Sequence, residues 1–418
     1  MLNRCFRCPR VRERIRANPL GPELEQLAAR LLERGYHHGT IQQHLQAAEH
    51  FGRWLGRMGR SRPIDEPLVR RFLHEHLPHC RCRMLRSCHR IQVRAALRHL
   101  LRLVAARQDE GSGMAVAITP AETVVRDFDQ YMRDTCGLSE ATRLYRRRYA
   151  REFLTAKFGH KPVHLHRLGP ADPMDFVADY AARCSPATAQ VAGSSLRCLL
   201  RFLQGRGWCD GRLAQAIPRI PHWELSNIPQ VLSEQELRRF LNSFDRRNAT
   251  DRRDYAMALC MVDLGLRVSD VIQLRLTDID WHQATLRIIG GKSRRTGILP
   301  LPRRVGEAIA AYLRKGRPQS ERRELFLRHR APLSHPVSKE LARGAMRRAY
   351  RRCGLNHAWT GTHILRHTAA SRMYQRGASL KQIADVLGHR SIDTSKVYTK
   401  VNVPMLATVA LPWPEVQS

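Results

Sequence analysis

The chain has 418 residues, and 72 Lys and Arg against 37 Asp and Glu leave a formal charge of +35. That length points to two or three domains, and 43% hydrophobic residues exclude a disordered basic tail. So large and widespread a charge calls for a polyanionic partner, nucleic acid foremost. With no run of about 18 apolar residues, no membrane partner is expected.

The basic residues are 64 Arg and eight Lys, with no Lys before Lys157. Genome composition accounts for most of that bias. It also makes a Lys inside a motif a candidate for proton transfer, which Arg cannot perform near neutral pH. The first residues, Met1 to Arg16, are basic with no apolar stretch behind them, so no secretory leader is expected. The eleven Cys then suit a reducing cytoplasm rather than a disulfide framework.

In chain order, residues 1–110 read as an N-terminal helical module, with Leu, Phe and Val at three- and four-residue spacing and Arg between them. Within it His76, His79, Cys80, Cys82, Cys88 and His89 crowd one stretch, and Cys5-x-x-Cys8 lies near the start. A structural zinc site would use such residues, and His76, Cys80, Cys82 and Cys88 are its candidates. Cys-x-Cys is a tight spacing for one zinc, and His is frequent throughout the chain, so chance crowding is the competing reading.

A Gly/Ser-containing linker at 111–120 leads to a second helical segment, 121–215. The two segments resemble a divergent duplication: Leu97-Arg98-His99-Leu100-Leu101-Arg102 echoes Leu196-Arg197-Cys198-Leu199-Leu200-Arg201, and Thr40 to Phe51 has the spacing of Thr142 to Phe153. Amphipathic Arg-rich helices also look alike without common descent. A second linker, 216–230, carries Pro218, Pro221 and Pro229 and cannot be one helix.

The segment 231–418 is mixed. Ser233 to Glu236 is a capping-box pattern opening a helix toward Phe244, and a second helix runs through Tyr255 to Leu264 and breaks at Gly265. Thr285 to Ile289, a turn at Gly290-Gly291, and Gly297 to Leu301 read as a β-hairpin. Helices follow, with Leu325-Phe326-Leu327 a short strand candidate. Gly290-Gly291-Lys292-Ser293 ends like a phosphate-binding loop, but Leu286 stands where its first Gly is needed and a hairpin replaces its helix.

Four clusters here carry chemistry: Gly265 to Asp270, Gly291-Lys292, His363 to Thr368, and Leu387-Gly388-His389 with Tyr398 nine residues beyond. His363 and Arg366, at i and i+3, share a helix face, and Arg267 follows the break at Gly265. Two guanidinium forks suit the non-bridging oxygens of a phosphodiester. Tyr398 is the only Tyr after Tyr374.

The ordered set Arg267, Lys292, His363-x-x-Arg366, His389, Tyr398 resembles the signature of the tyrosine recombinases, the phage integrase family. The resemblance is strong over 230–418, weaker over 121–215, and does not reach 1–110. It implies a mainly α fold with a small β-hairpin or sheet: a helical, SAM-like core-binding domain, then a catalytic domain, forming a C-shaped clamp on DNA. Carried over residue by residue, it implies that Arg267 and Arg366 clamp the scissile phosphate and Lys292 protonates the leaving 5′-oxygen. His363 would exchange the proton of the Tyr398 nucleophile, and His389 would bond a phosphate oxygen. His367 and Tyr374 fall outside the pattern and read as structural, and Asp270 as orienting the Arg267 turn. No cofactor or metal is implied for the chemistry.

The resemblance further implies double-stranded DNA with inverted core sites as substrate, a homo-tetramer in synapsis, possible accessory or sister recombinases, and a place in the bacterial cytoplasm at the nucleoid. The expected role is integration or transposition of a mobile element through a 3′-phosphotyrosine. Dimer resolution by the same chemistry, or nicking and resealing like a type IB topoisomerase, are the alternatives. The tail Val401 to Ser418, with Leu406, Val409, Leu411 and Trp413, either passes to a neighbouring protomer or packs on its own domain.

Overall fold

A computed structural model describes residues 1–59, 64–80, 90–111, 119–159, 161–220, 229–289, 296–355, 361–388 and 391, with backbone alone at 90–91 and 106–111. The turn at Gly290-Gly291, most of both linkers, and the tail lie outside these residues. The fold is mainly α with one small sheet. Its contacts define two compact units: Met1–Gly111 together with Ile228–Ser418, and Ser112–Asn227.

In the first unit, residues 1–111 form α1 (Leu2–Cys5), α2 (Pro9–Arg16), α3 (Gly21–Glu33), α4 (His38–Arg57), α5 (Glu66–Arg71) and α6 (Arg90–Gly111). Leu24, Leu27 and Leu31 of α3 meet Ile41, Leu45, Ala48, Phe51 and Leu55 of α4, and Val93, Leu97 and Leu100 of α6 close the core. The spacing is helical, so one face of each helix is apolar, and each fully buried Leu or Phe contributes about 1.5–3 kcal/mol. The carboxylate of Glu49 sits inside this core, held by Arg14 at 2.9 Å and Arg53 at 2.8 Å.

The second unit contains α7 (Pro120–Asp134), α8 (Glu140–Phe158), α9 (Ala171–Arg183), α10 (Pro186–Gly205) and α11 (Leu213–Ala216). Thr119 and Ser185 cap α7 and α10, each followed by Pro at the first helical position, where a missing N–H costs nothing. Phe51 and Phe153 are both buried, as are Leu97 and Leu196 and then Leu100 and Leu199, whereas Leu101 is only half-buried and its counterpart Leu200 is buried.

The third segment comprises α12 (Glu234–Asn242), α13 (Ala249–Val262), α14 (Val268–Val271), α15 (Arg303–Lys315), α16 (Lys339–Arg352), α17 (Thr362–Gln375) and α18 (Leu380–Leu387), with strands β1 (Ile279–Asp280), β2 (Thr285–Ile289) and β3 (Thr296–Pro300). The capping box at Ser233 and Glu236 is formed. Helix α13 starts earlier than its apolar run suggests, at a cap from Asn248, and Ala256 to Val262 is buried on every side. It is the central helix, packed by α15, α16 and α17.

The hairpin forms in antiparallel register, Thr285 opposite Pro300 and Ile289 opposite Thr296. Strand β1 adds a third member that its two-residue length concealed. Leu286, opposite Leu299, sits in strand, and β2 returns as β3, so a phosphate-loop helix is excluded. Leu325-Phe326-Leu327 is not a strand of this sheet, contrary to its pattern. It is fully buried, but it takes part only in isolated bridging, Leu327 opposite Pro336, and the Leu327 N–H donates to the Tyr312 hydroxyl at 3.1 Å instead of to a ladder. Arg253, 2% exposed, fixes this stretch to α13 by donating to the Leu327 carbonyl at 3.0 Å and to Asp254 at 2.6 Å.

Candidate active site

Three elements far apart in sequence meet at one guanidinium. Arg366 on α17, 5% exposed, donates from Nη1 to the Gly265 carbonyl and from Nη2 to the Leu387 carbonyl, both at 2.6 Å. Arg267, at the start of α14, donates from Nη2 to the Gly388 carbonyl at 3.4 Å. The break after α13, the face of α17 and the end of α18 are thereby fastened together around two arginines. A guanidinium carries five donors in one plane, and these backbone bonds fix the orientation of each fork.

Local sequence explains each placement. Gly265 has φ +64°, and a Cβ there would lie 2.4 Å from Leu387 Cδ2. Only glycine ends α13 with this turn and admits Leu387 so closely. Gly388, with φ 62°, caps α18 in the left-handed conformation that glycine takes without penalty. Asp270, buried, accepts the Arg267 backbone N–H at 3.3 Å, which fixes the turn as its spacing suggested.

His363 lies one turn before Arg366 on α17 and is exposed, so that helix presents an accessible imidazole beside a buried, backbone-locked guanidinium. The His367 ring lies 6.4 Å from that of His363, and burial, reinforced by His363 and Arg366, lowers its pKa to about 4. His367 is therefore neutral at physiological pH. Lys292, His389 and Tyr398 lie outside the described residues; the described chain ends β2 at Ile289 and α18 at Leu387 with Gly388, on the near side of the first two.

The strand cleavage that the resemblance implies is expected to fall at least about tenfold in Gly265→Ala, because a Cβ at positive φ costs about 1–2 kcal/mol and also displaces Leu387, whose carbonyl is one of the two that aim Arg366. Turnover on a nicked duplex, with circular dichroism as the folding control, measures it. Unchanged turnover would show that the Gly265 turn does not position the arginines.

Basic residues outside this site divide into two kinds. On α8, Arg143 and Arg147 pair with Asp129 and Glu140, Arg148 with Glu152, and Arg151 with Glu122. Much of that helix's charge is internally balanced. In the same unit Arg197, Arg201, Gln204 and Arg219 line an open cleft of about 680 Å³. Arg197 is held there by the Ile217 and Pro218 carbonyls at 3.1 and 2.8 Å.

In the first segment, His76 and Cys80 come together with His50 of α4, a residue no local motif marked. Cys82 and Cys88 lie outside the described residues. Cys5 is buried and Cys8 exposed, and neither belongs to this group. Burial, with His76, Arg57 and Arg53, lowers the His50 pKa to about 4.

Residues 230–404 match the phage integrase family. The chain is 39% identical over 322 residues to y4rA of Sinorhizobium fredii, an integrase/recombinase by name, covering 77% of this chain and 78% of that protein. A second integrase/recombinase of that organism, y4rF, is 28% identical over 423 residues, 99% of this chain and 96% of its own, so its likeness runs through the first segment as well. Among solved structures, XerH site-specific recombinase bound to palindromic difH substrate is similar at a TM-score of 0.55 and 18% identity, over 72% of this chain and 99% of that one. A lambda integrase dimer bound to a COC′ core site is similar at 0.53 and 16% identity, over 74% and 86%. Those two structures speak for the fold alone. No helix among the described residues is long and apolar enough to cross a membrane. With its helical architecture, its two backbone-locked arginines and a relative 39% identical along most of its length, this chain belongs to the phage integrase family of tyrosine recombinases, enzymes that cleave and rejoin DNA strands.

Proposed function

We propose that the chain is a site-specific recombinase that integrates or transposes a mobile element through a 3′-phosphotyrosine intermediate. The observation that carries this reading is the junction at Arg366, where the Gly265 and Leu387 carbonyls set one guanidinium beside the Arg267 turn. Two such forks match the charge that grows on a phosphodiester's non-bridging oxygens as phosphorus becomes five-coordinate.

In this reading the Tyr398 oxygen forms a bond to phosphorus while the bond to the 5′-oxygen breaks. His363 takes the phenolic proton and Lys292 supplies one to the leaving oxygen, giving a free 5′-hydroxyl. His389 donates a hydrogen bond to a phosphate oxygen. One phosphoester replaces another, so the step runs backward as readily with a new 5′-hydroxyl, and strand exchange needs no cofactor. Double-stranded DNA with inverted core sites is the substrate, held in part by the arginine cleft of the second unit, and a homo-tetramer brings two sites together. Accessory or sister recombinases acting beside it, and work at the bacterial nucleoid, go with this role. The names of y4rA and y4rF, integrase/recombinase, favour the mobile-element role over dimer resolution.

The test supplies two labelled duplexes carrying the DNA that flanks the gene. Recombinant strands joining the two duplexes are the expected product. Nicking and resealing within each duplex, with no exchange, would assign the same chemistry to a topoisomerase-like enzyme and overturn the recombinase reading.

A further inference from the structure

Away from the DNA-cleaving site, the first segment holds a cluster with a different chemistry. Helix α5 does not end at Arg71 but widens into a single π-turn, Phe72–His76, followed by a 3-10 turn, Leu77–His79. Pro78 explains the change: it lacks an N–H and its ring clashes with the carbonyl four residues back, so an α-helix cannot continue through it. The Leu77 N–H bonds to the Phe72 carbonyl, five residues behind it. Single π-turns of this kind are rare and lie frequently at functional sites.

Here His76 closes the π-turn and Cys80 follows the 3-10 turn. His76 Nε2 lies 3.1 Å from His50 Nε2 on α4, and Cys80 Sγ lies 3.3 Å from the same nitrogen. All three atoms fall within 4.8 Å of one another. Hydrogen bonding alone serves this arrangement poorly. An imidazole nitrogen has one lone pair in the ring plane, yet an imidazole and a thiol both converge on His50 Nε2. His50 is 4% exposed, and its other nitrogen, Nδ1, is buried with no hydrogen-bond partner among the described residues.

A metal ion resolves the convergence, since all three lone pairs can point at one centre. Tetrahedral zinc, with Zn–N near 2.0–2.1 Å and Zn–S near 2.3 Å, places neighbouring ligand atoms about 3.3–3.6 Å apart. The observed 3.1 and 3.3 Å differ from that spacing by a few tenths of an ångström. We propose that His50, His76 and Cys80 bind one zinc-type divalent cation through Nε2, Nε2 and Sγ, fastening the Phe72–Cys80 turn to helix α4.

Two imidazoles and a thiolate select zinc or a chemically similar transition metal and exclude the hard cations calcium and magnesium. Binding releases the Cys80 thiol proton, so the thiolate offsets half the charge of the dication, and Arg53 close by is already paired with Glu49 at 2.8 Å. The fourth coordination position is left to water or a further donor. Phe72 and Trp54 stand against the His pair, with ring centroids 5.2 Å from His50 to Phe72 and 6.1 Å from Trp54 to His76. That aromatic wall keeps water from one side of the site and strengthens metal–ligand bonds. The role is structural, because the ligands join two backbone segments of one core.

The full-length chain, stripped of metal and equilibrated with ZnCl₂, should hold about one equivalent by mass spectrometry after dialysis. Replacement by Co²⁺ should give the near-ultraviolet band of a cobalt–thiolate bond. Cys80→Ser should abolish that band, and His76→Gln should lower bound metal at least about fivefold, while exposed Cys8→Ser changes neither. The wild-type cobalt spectrum decides the thiolate ligand even if a variant folds poorly. A wild-type chain that takes up no metal, or a Cys80→Ser chain that keeps the cobalt band, would overturn the assignment.

Discussion

Tyr398→Phe is expected to retain duplex binding and to lose covalent attachment to DNA. The substitution deletes one hydroxyl and leaves the ring, so phosphate contacts that supply most of the affinity persist, with their steep dependence on salt. Without the phenolic oxygen no bond to phosphorus can form, and cleavage should fall at least about 10⁴-fold, the scale on which enzymes respond to loss of a covalent nucleophile. A suicide duplex, nicked just downstream of the cleavage site so that the short fragment bearing the free 5′-hydroxyl diffuses away, traps the wild-type adduct as a band resistant to denaturant. The Phe variant should show a normal gel shift and no such band. Tyr374→Phe, on α17, should leave the adduct intact. An adduct formed by Tyr398→Phe would assign the nucleophile elsewhere.

Arg366→Lys carries the second large effect, because charge alone is not what this residue supplies. Its two terminal nitrogens reach the Gly265 and Leu387 carbonyls simultaneously, and a single ammonium cannot reproduce that planar fork. At 5% exposure there is no bulk water to satisfy an abandoned carbonyl, so each one lost costs about 1–3 kcal/mol. Removal of one preorganised donor from a developing charge typically costs about 10²–10³ in rate. The variant should therefore melt several degrees lower and cleave at least about a hundredfold more slowly, with far-ultraviolet dichroism retained below the melt. Near-normal cleavage would place the phosphate clamp away from Arg366.

How much was legible in the chain varies with the range of the interaction. The helix opened by Ser233 and Glu236, the hairpin of β2 and β3, and the turn at Gly265 all rest on near neighbours, and local pattern sufficed for them. Strand β1 escaped because two residues carry no periodicity. Leu325 to Leu327 looked like a strand because an apolar triplet says that it is buried but not what its amides bond to. His50 could not have been singled out, since it lies 26 residues before His76 on another helix. A His at an otherwise apolar, buried helix position was the only signal it gave.

For the recombinase signature, sequence order and residue type sufficed to name Arg267, Lys292, His363, Arg366, His389 and Tyr398 as candidates, through their resemblance to the family's ordered set. The +35 charge likewise determined the class of partner before any fold was known. Only the tertiary structure decided which groups meet. It brought the Gly265 and Leu387 carbonyls to one guanidinium, joined His50 to His76 and Cys80, and balanced much of the α8 charge internally rather than leaving it for DNA. The reason is physical. Helix caps and turns depend on residues a few positions apart, whereas the aim of a buried arginine depends on carbonyls 101 and 21 residues away, which only packing brings within reach.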